Sequence, residues 1–127
     1  MFEYRLNVRG YELDSYGHVN HAVYLNYFEQ ARWELFRQAG LMDYLKAHHL
    51  LIMVMEAKVR YSKEISLFDE LVIRTRVEKE PPYLVFNQKM YFSETSIRVS
   101  TATIKTIFTD KGKLVRDIPE DVIIRLI

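Results

Sequence analysis

Residues 14–21 read DSYGHVNH, and the segment YLNYFEQARWELFRQAG follows at residues 24–40. Gly17 permits the chain to turn sharply before the longer segment begins. Asn20 is a good helix N-cap, because its side-chain oxygen can accept a hydrogen bond from an N–H of the first turn. Gly40 supplies the matching stop signal. This stretch therefore predicts a turn that leads into one long helix, and the rest of the fold must be built around that helix.

The predicted helix is apolar on nearly all sides. Its apolar stripe at helical spacing consists of Tyr24, Tyr27, Phe28, Ala31, Leu35 and Ala39. Leu25, Trp33 and Phe36 lie on the opposite side of the same helix. A helix with this distribution is expected to be buried on several sides. Trp33, being large and opposite the main stripe, indicates a partner interface or a covering segment.

The remaining chain is rich in strand patterns. Apolar and polar residues alternate with a period of two in residues 2–9, 55–61, 71–78, 84–92 and 97–108. Pro81-Pro82 predicts the bend of a hairpin. The apolar phase shifts between Val99 and Ala102, which predicts a β-bulge. A short helix is expected at residues 41–48, a turn at 110–112, and a terminal helix starting near Pro119.

Short connections between consecutive strands imply antiparallel pairing. One long helix beside one long antiparallel sheet predicts an α+β domain in which the sheet curls around the helix. At 127 residues the chain is expected to form a single domain, residues 1–127.

Composition excludes several functional classes. The 18 basic and 17 acidic side chains leave a net charge of +1, which does not favour nucleic acid or an anionic membrane as a partner. The chain contains no cysteine, so thiol nucleophiles, disulfides and cysteine-based zinc sites are excluded. No apolar stretch approaches the roughly 18 residues of a membrane helix. We therefore expect a cytoplasmic protein with neither nucleic acid nor membrane as a partner.

The possible chemistry of the turn at residues 14–21 depends mainly on Asp14. The first N–H groups of a helix lack intrahelical partners and carry partial positive charge, so they can polarise a substrate carbonyl. A nearby carboxylate can then attack that carbonyl or activate a water. His18 or His21 could orient the water or hold a leaving group. The turn therefore suits attack on a carbonyl.

Structural alternatives exist for each of these side chains. Asp14 could cap the helix or form an Asx-turn, although Asn20 competes for the cap. His18 and His21 could be polar residues with ordinary hydrogen bonds. The three side chains could also bind a metal, but their loose spacing matches no metal motif.

Residues 11–21, YELDSYGHVNH, together with residues 24–32, YLNYFEQAR, resemble the signature of the hotdog-fold acyl thioesterases. The 4-hydroxybenzoyl-CoA thioesterase-like group is nearest in pattern, and the plant acyl-ACP thioesterases are similar. Residues 61–71 and 109–122 resemble the family's later strands and tail. The resemblance implies a five- or six-stranded antiparallel sheet wrapped around one long central helix. It also implies hydrolysis of acyl-CoA or acyl-ACP to a free acid and a thiol.

The resemblance implies catalytic functions for Asp14, as nucleophile or general base, and for His18. The backbone N–H of His21 corresponds to the group that polarises the thioester carbonyl. The predicted substrate-binding residues are Gly17, Asn20, His21, Tyr24 and Glu64. The family needs neither a metal nor another cofactor. Its sites usually lie between subunits, so a homodimer or homotetramer is expected.

Two positions depart from the family pattern. Many relatives carry a second acid two residues before the catalytic one, where this chain has Glu12. The plant enzymes place an asparagine between their catalytic aspartate and histidine, where this chain has Tyr16.

Two other functions remain open at this point. The chain could be a hotdog hydratase or dehydratase, although the histidine motifs of those enzymes are missing. It could also be a non-catalytic module that binds an acyl thioester, although binding alone needs no carboxylate at residue 14.

Overall fold

A six-stranded antiparallel sheet and one 19-residue helix make up most of the computed structural model, which describes residues 1–127. The strands are β1 (Phe2–Asn7), β2 (Leu50–Tyr61), β3 (Glu70–Glu80), β4 (Tyr83–Phe92), β5 (Arg98–Asp110) and β6 (Lys113–Val115). The helices are α1 (His21–Ala39), α2 (Leu41–Ala47) and α3 (Glu120–Leu126), and a short 3₁₀ turn spans Gly10–Glu12. The α+β class and the predicted long helix are confirmed.

The sheet has the strand order β1-β3-β4-β5-β2, with β2 at one edge. Every pairing is antiparallel. The short β6 pairs with β5 beyond the point where β4 ends. This is the sheet that the hotdog resemblance implies, so the predicted fold is confirmed with six strands. No helix of the structure has the length and hydropathy required to cross a bilayer.

One apolar core joins α1 to the sheet. The core side chains of α1 are Tyr24, Tyr27, Phe28, Ala31, Leu35 and Phe36. The ring of Phe36 meets that of Phe86 on β4 edge to face, with 5.6 Å between centroids. The prediction that α1 is buried on several sides is confirmed for Phe36 but not for Leu25 and Trp33. Those two side chains stay 39% and 46% exposed, so the rest of the chain covers them only in part.

The predicted bulge in the last long strand is confirmed. Met90 pairs with Ser100 and Tyr91 pairs with Arg98, so Val99 is the extra residue in β5. Val99 and Ser100 are both buried, which explains the phase shift in the sequence. A second register shift falls between Val54 and Glu56 of β2.

Two strand boundaries differ from the sequence prediction. Strand β2 begins at Leu50 rather than near Met55, because the apolar run at residues 50–55 does not alternate and gives no period-two signal. Strand β6 was not predicted, since three residues are too few to show a period. The terminal helix begins at Glu120 with Pro119 as its N-cap, one residue after the predicted start.

Gly40 offers a test of how α1 ends. Its φ of +66° is left-handed, and an added Cβ would lie 3.0 Å from Arg125 Nη1. We expect Gly40→Ala to lower the free energy of unfolding by about 1–2 kcal/mol, the cost of a left-handed L-residue. Gly10→Ala is the control, because the nearest atom to its added Cβ is 4.0 Å away. Urea midpoints measure both variants, and equal midpoints would contradict the expectation.

Candidate active site

The acidic turn before α1 is closed by its own backbone. The N–H of Asp14 donates to the carbonyl of His18 at 2.7 Å, and the N–H of Gly17 donates to the carbonyl of Asp14 at 3.1 Å. Gly17 has a φ of +81°, which is accessible to glycine at no steric cost. The predicted turn is therefore formed, and its left-handed φ at residue 17 favours glycine.

The Asp14 carboxylate is held by this turn through one of its oxygens. Its Oδ1 accepts hydrogen bonds from the N–H groups of Tyr16 at 2.9 Å and His18 at 3.3 Å. The first of these is an Asx-turn, so that structural alternative is realised. The helix cap belongs to Asn20 instead. Asp14 Oδ2 makes no hydrogen bond within the chain, so the carboxylate is fixed in position with one oxygen free.

The N-terminus of α1 supplies the polar groups beside this carboxylate. Asn20 Oδ1 accepts from the N–H of Ala22 at 2.9 Å, which confirms the predicted cap. The N–H of His21, the first residue of α1, donates to no group of the chain. An unpaired N–H at a helix N-terminus carries partial positive charge and can polarise a carbonyl oxygen.

The loop between β2 and β3 packs against the turn and brings Glu64 to His18. The N–H of Val19 donates to the carbonyl of Ile65 at 2.8 Å, and His18 forms an isolated bridge with Ser66. The side chains of His18 and Glu64 meet with 3.2 Å between Nε2 and Oε2. Both side chains are well exposed to solvent, so the contact sets their orientation rather than the stability of the fold.

Two tyrosines tie α1 to the end of β2 and the following loop. Tyr24 donates its hydroxyl hydrogen bond to the carbonyl of Lys63 at 2.9 Å. Tyr61 donates to the carbonyl of His21 at 3.0 Å, and the rings of Tyr24 and Tyr61 meet edge to face at 4.9 Å. Burial, with smaller effects of Tyr61 and Glu64, raises the pKa of Tyr24 to about 12. The Tyr24 hydroxyl therefore remains a donor at neutral pH.

These elements enclose an open cleft of about 510 Å³. Its lining includes five of the predicted site residues, namely Asp14, His18, His21, Tyr24 and Glu64. The predicted Gly17 and Asn20 do not line it; they shape the turn and cap the helix. The other lining residues were not among the predicted site residues; they are Tyr16, Val19, Tyr61, Ser62 and Lys63. A tyrosine at the end of an alternating strand was the available signal for Tyr61.

Glu12, the acid two residues before Asp14, lies outside this cleft. Its Oε1 accepts from the N–H of Arg9 at 2.7 Å and from the hydroxyl of Tyr27 at 2.7 Å. Burial and this bond to Glu12 raise the pKa of the Tyr27 phenol. Glu12 is thus a buried, hydrogen-bonded carboxylate that anchors the strand-to-turn connection to α1. No group of three histidine, aspartate or glutamate side chains is arranged to hold a metal ion.

The fall in the free energy of unfolding at high pH tests the environment of Tyr24. The unfolded chain loses this proton near pH 10.0, whereas the folded chain keeps it until about pH 12. Stability from this group is therefore complete below pH 10 and falls as the pH rises towards 12, by at most about 1.4 kcal/mol per pH unit. We expect Tyr24→Phe to flatten this fall in urea unfolding, and Tyr16→Phe, at an exposed tyrosine of the same cleft, to leave it unchanged. An undiminished slope in Tyr24→Phe would contradict this account.

Comparison with known proteins identifies the family of the chain. The family model of the thioesterase-like superfamily matches residues 8–126. The long-chain acyl-CoA thioesterase FadM of Escherichia coli is 33% identical over 75 residues, which are 59% of this chain and 57% of FadM. This match thus spans just over half the length of FadM. A putative esterase of Aquifex aeolicus is 30% identical over 123 residues, which cover 96% of this chain and 94% of that protein.

A solved structure shares the fold as well. The crystal structure of YbaW, a probable thioesterase from Escherichia coli, matches with a TM-score of 0.86 and 26% identity, over 91% of this chain and 90% of that one. The family model covers nearly the entire chain, including the turn, α1 and every strand after them. The predicted resemblance is therefore confirmed: the chain belongs to the thioesterase-like superfamily.

Proposed function

We propose that this protein hydrolyses acyl-CoA thioesters, with Asp14 as the catalytic carboxylate. One observation carries the proposal. A carboxylate with a free oxygen and a helix N-terminus with an unpaired N–H line the same cleft. Acyl transfer needs both a nucleophile or base and a donor for the developing oxyanion. The relative FadM, a long-chain acyl-CoA thioesterase, supports CoA as the carrier.

In the proposed mechanism, the thioester carbonyl oxygen accepts a hydrogen bond from the His21 N–H. Asp14 either attacks the carbonyl carbon itself or removes a proton from an attacking water. When Asp14 attacks, the C–S bond breaks and leaves a mixed anhydride on Asp14, which a water then hydrolyses to the free acid and the restored carboxylate. When Asp14 acts as the base, the hydroxide adds to the carbonyl carbon and cleavage of the C–S bond gives the free acid directly. In both routes the sulfur leaves as thiolate and takes up a proton. In either route the charge on the carbonyl oxygen grows at the helix N-terminus, where the dipole stabilises it.

The remaining cleft residues have positioning functions in this proposal. Glu64 holds the His18 ring at 3.2 Å, so that His18 can orient the attacking water or the leaving sulfur. Gly17 lets the turn present the Asp14 carboxylate, and Asn20 fixes the first turn of α1. Tyr24 and Tyr61 hold the cleft wall to α1 through their hydroxyl groups.

We also propose that two chains associate through the edge strand β2. This strand has 12 residues and ends the sheet, so one side of its backbone has no partner strand. Its apolar side chains Leu51, Met53, Val54 and Met55 are all about half exposed or more. A long apolar edge is a template for further strand pairing. A second copy is the occupant we propose, because antiparallel self-pairing gives a closed two-fold dimer.

Substitution of Asp14 tests the proposed chemistry. Asp14→Asn keeps an oxygen that can accept from the Tyr16 and His18 N–H groups, but it removes the charge. We expect kcat/KM for acyl-CoA hydrolysis, measured by thiol release, to fall at least about 100-fold. Asp43→Asn is the matched control, since Asp43 is an exposed carboxylate on α2.

Two results would contradict the proposal. One is full activity in Asp14→Asn, and the other is no thiol release by the wild type from acyl-CoAs of any chain length. Saturable binding of acyl-CoA without release would favour the non-catalytic binding module instead. Parallel assays with the same acyl group on acyl carrier protein decide between the two carriers.

The edge-strand interface has its own test. We expect the wild-type chain to sediment at equilibrium as a dimer or a dimer of dimers. Val54→Lys places a charge at the proposed interface and should yield monomers. Leu114→Lys, at a similarly exposed apolar residue on β6, should leave the mass unchanged. Unchanged mass in Val54→Lys would refute association through β2.

A further inference from the structure

A buried arginine at the floor of a second cleft is not used by the proposed chemistry. Arg32 lies on α1 and is only 8% exposed. Its Nη1 donates to Gln88 Oε1 at 2.9 Å. The amide nitrogen of Gln88 in turn donates to the carbonyl of Phe28 and to Thr75 Oγ1, at 3.0 and 3.1 Å. Gln88 thus has its hydrogen bonds satisfied, whereas the guanidinium uses one of its five N–H donors.

The Arg32 charge has no carboxylate partner in the chain. None of the ion pairs in the structure includes it. Buried charges are normally paired, because removal from water is costly. Burial lowers the pKa of Arg32, and the nearby Glu29 opposes that effect. The guanidinium nevertheless stays charged at neutral pH, as arginine does in proteins.

The unused N–H donors of Arg32 reach the second cleft. Every fully buried side-chain nitrogen or oxygen of the chain has a hydrogen-bond partner, so the unbonded guanidinium nitrogens must meet a surface. Arg32 lines a cleft of about 150 Å³ between α1 and β2. The other walls are mostly apolar and consist of Trp33, Phe36, Met42, Ile52 and Val54, with Glu29 and Thr106. A cavity of this size accommodates a group about as large as benzene.

Both clefts have walls from α1 and β2. The N-terminus of α1 meets the end of β2, where Tyr61 bonds to His21. The second cleft joins the later part of α1 to Ile52 and Val54 near the start of β2. Arg32 lies about 16 Å along the helix axis from His21, because an α-helix rises 1.5 Å per residue. An acyl group held at the first cleft must span about this distance for its far end to enter the second.

We propose that the second cleft binds the far end of the acyl group, and that Arg32 selects acyl groups ending in a carboxylate. The apolar walls would hold the hydrocarbon part, and the free donors of Arg32 would pair with the terminal carboxylate in a charge-assisted hydrogen bond. This inference rests on the proposed function only in assigning the ligand to a thioester. The binding of a carboxylate beside Arg32 stands apart from any catalysis.

Trp33 is the only tryptophan of the chain and lines the same cleft, so its fluorescence reports occupancy directly. We expect benzoate to change this fluorescence saturably and to bind at least about tenfold more tightly than its neutral isostere benzamide. Arg32→Met should abolish the difference between the two probes. Arg32→Lys should retain part of it, and Glu29→Gln should strengthen benzoate binding by removing the competing carboxylate. Urea midpoints establish that each variant is folded.

Turnover provides the second measurement. For the wild type, we expect kcat/KM for dodecanedioyl-CoA to exceed that for dodecanoyl-CoA, and Arg32→Met to lower this ratio at least about tenfold. Equal binding of benzoate and benzamide by the folded wild type would overturn the inference, whether or not the protein hydrolyses thioesters. Selective benzoate binding without hydrolysis of any acyl-CoA would support the cleft and defeat the proposed function. A higher kcat/KM for dodecanoyl-CoA would overturn the assignment to acyl ends.

Discussion

Burial of α1 against the antiparallel sheet is the constraint on which the rest of the structure depends. The helix carries six core side chains, and the sheet supplies the matching layer, including Phe86, Met90, Ile104 and Phe108. Burial of this apolar surface drives the packing, but it does not fix the rotation or position of the helix by itself. Directional contacts must do that, and they come from a few polar groups placed at the helix surface.

These polar contacts occur at both the start and the middle of α1. Near the start, Tyr61 donates to the carbonyl of His21 and Tyr24 donates to the carbonyl of Lys63. Tyr27 donates to the carboxylate of Glu12. In the middle, Gln88 bonds to the carbonyl of Phe28. Each contact joins residues that are distant in sequence, so together they determine where the first turn of the helix stands. The Asp14 carboxylate and the free N–H of His21 are thereby held in place before any substrate binds, which is the preorganisation that acyl transfer requires.

The sequence indicated the parts of this structure that local chemistry controls. The Asn20 cap, the Gly40 stop, the turn at Gly17 and the bulge near Val99 each depend on residues within a few positions. Contacts across about 40 residues, such as Tyr61 with His21, leave no periodic signal and emerged only with the fold. Glu64 was predicted through the family resemblance alone. Burial of Leu25 was mispredicted, because periodicity shows which side chains are apolar and not whether another element covers them. The assignment of Trp33 to a partner interface or a covering segment stays a prediction.

Glu12 and Arg32 are two buried charges that differ in how far the chain compensates them. Both are 8% exposed. Arg32 lies on α1, and Glu12 accepts a hydrogen bond from Tyr27 of α1. Glu12 has an N–H, a hydroxyl and the Arg9 guanidinium as partners, so its charge is compensated within the chain. Arg32 has one neutral amide and leaves the rest of its donors at an apolar cleft. Structural need alone accounts for Glu12, whereas it accounts for only one hydrogen bond of Arg32. The uncompensated part of that charge is what makes the second cleft a binding site for an anionic group rather than a packing defect.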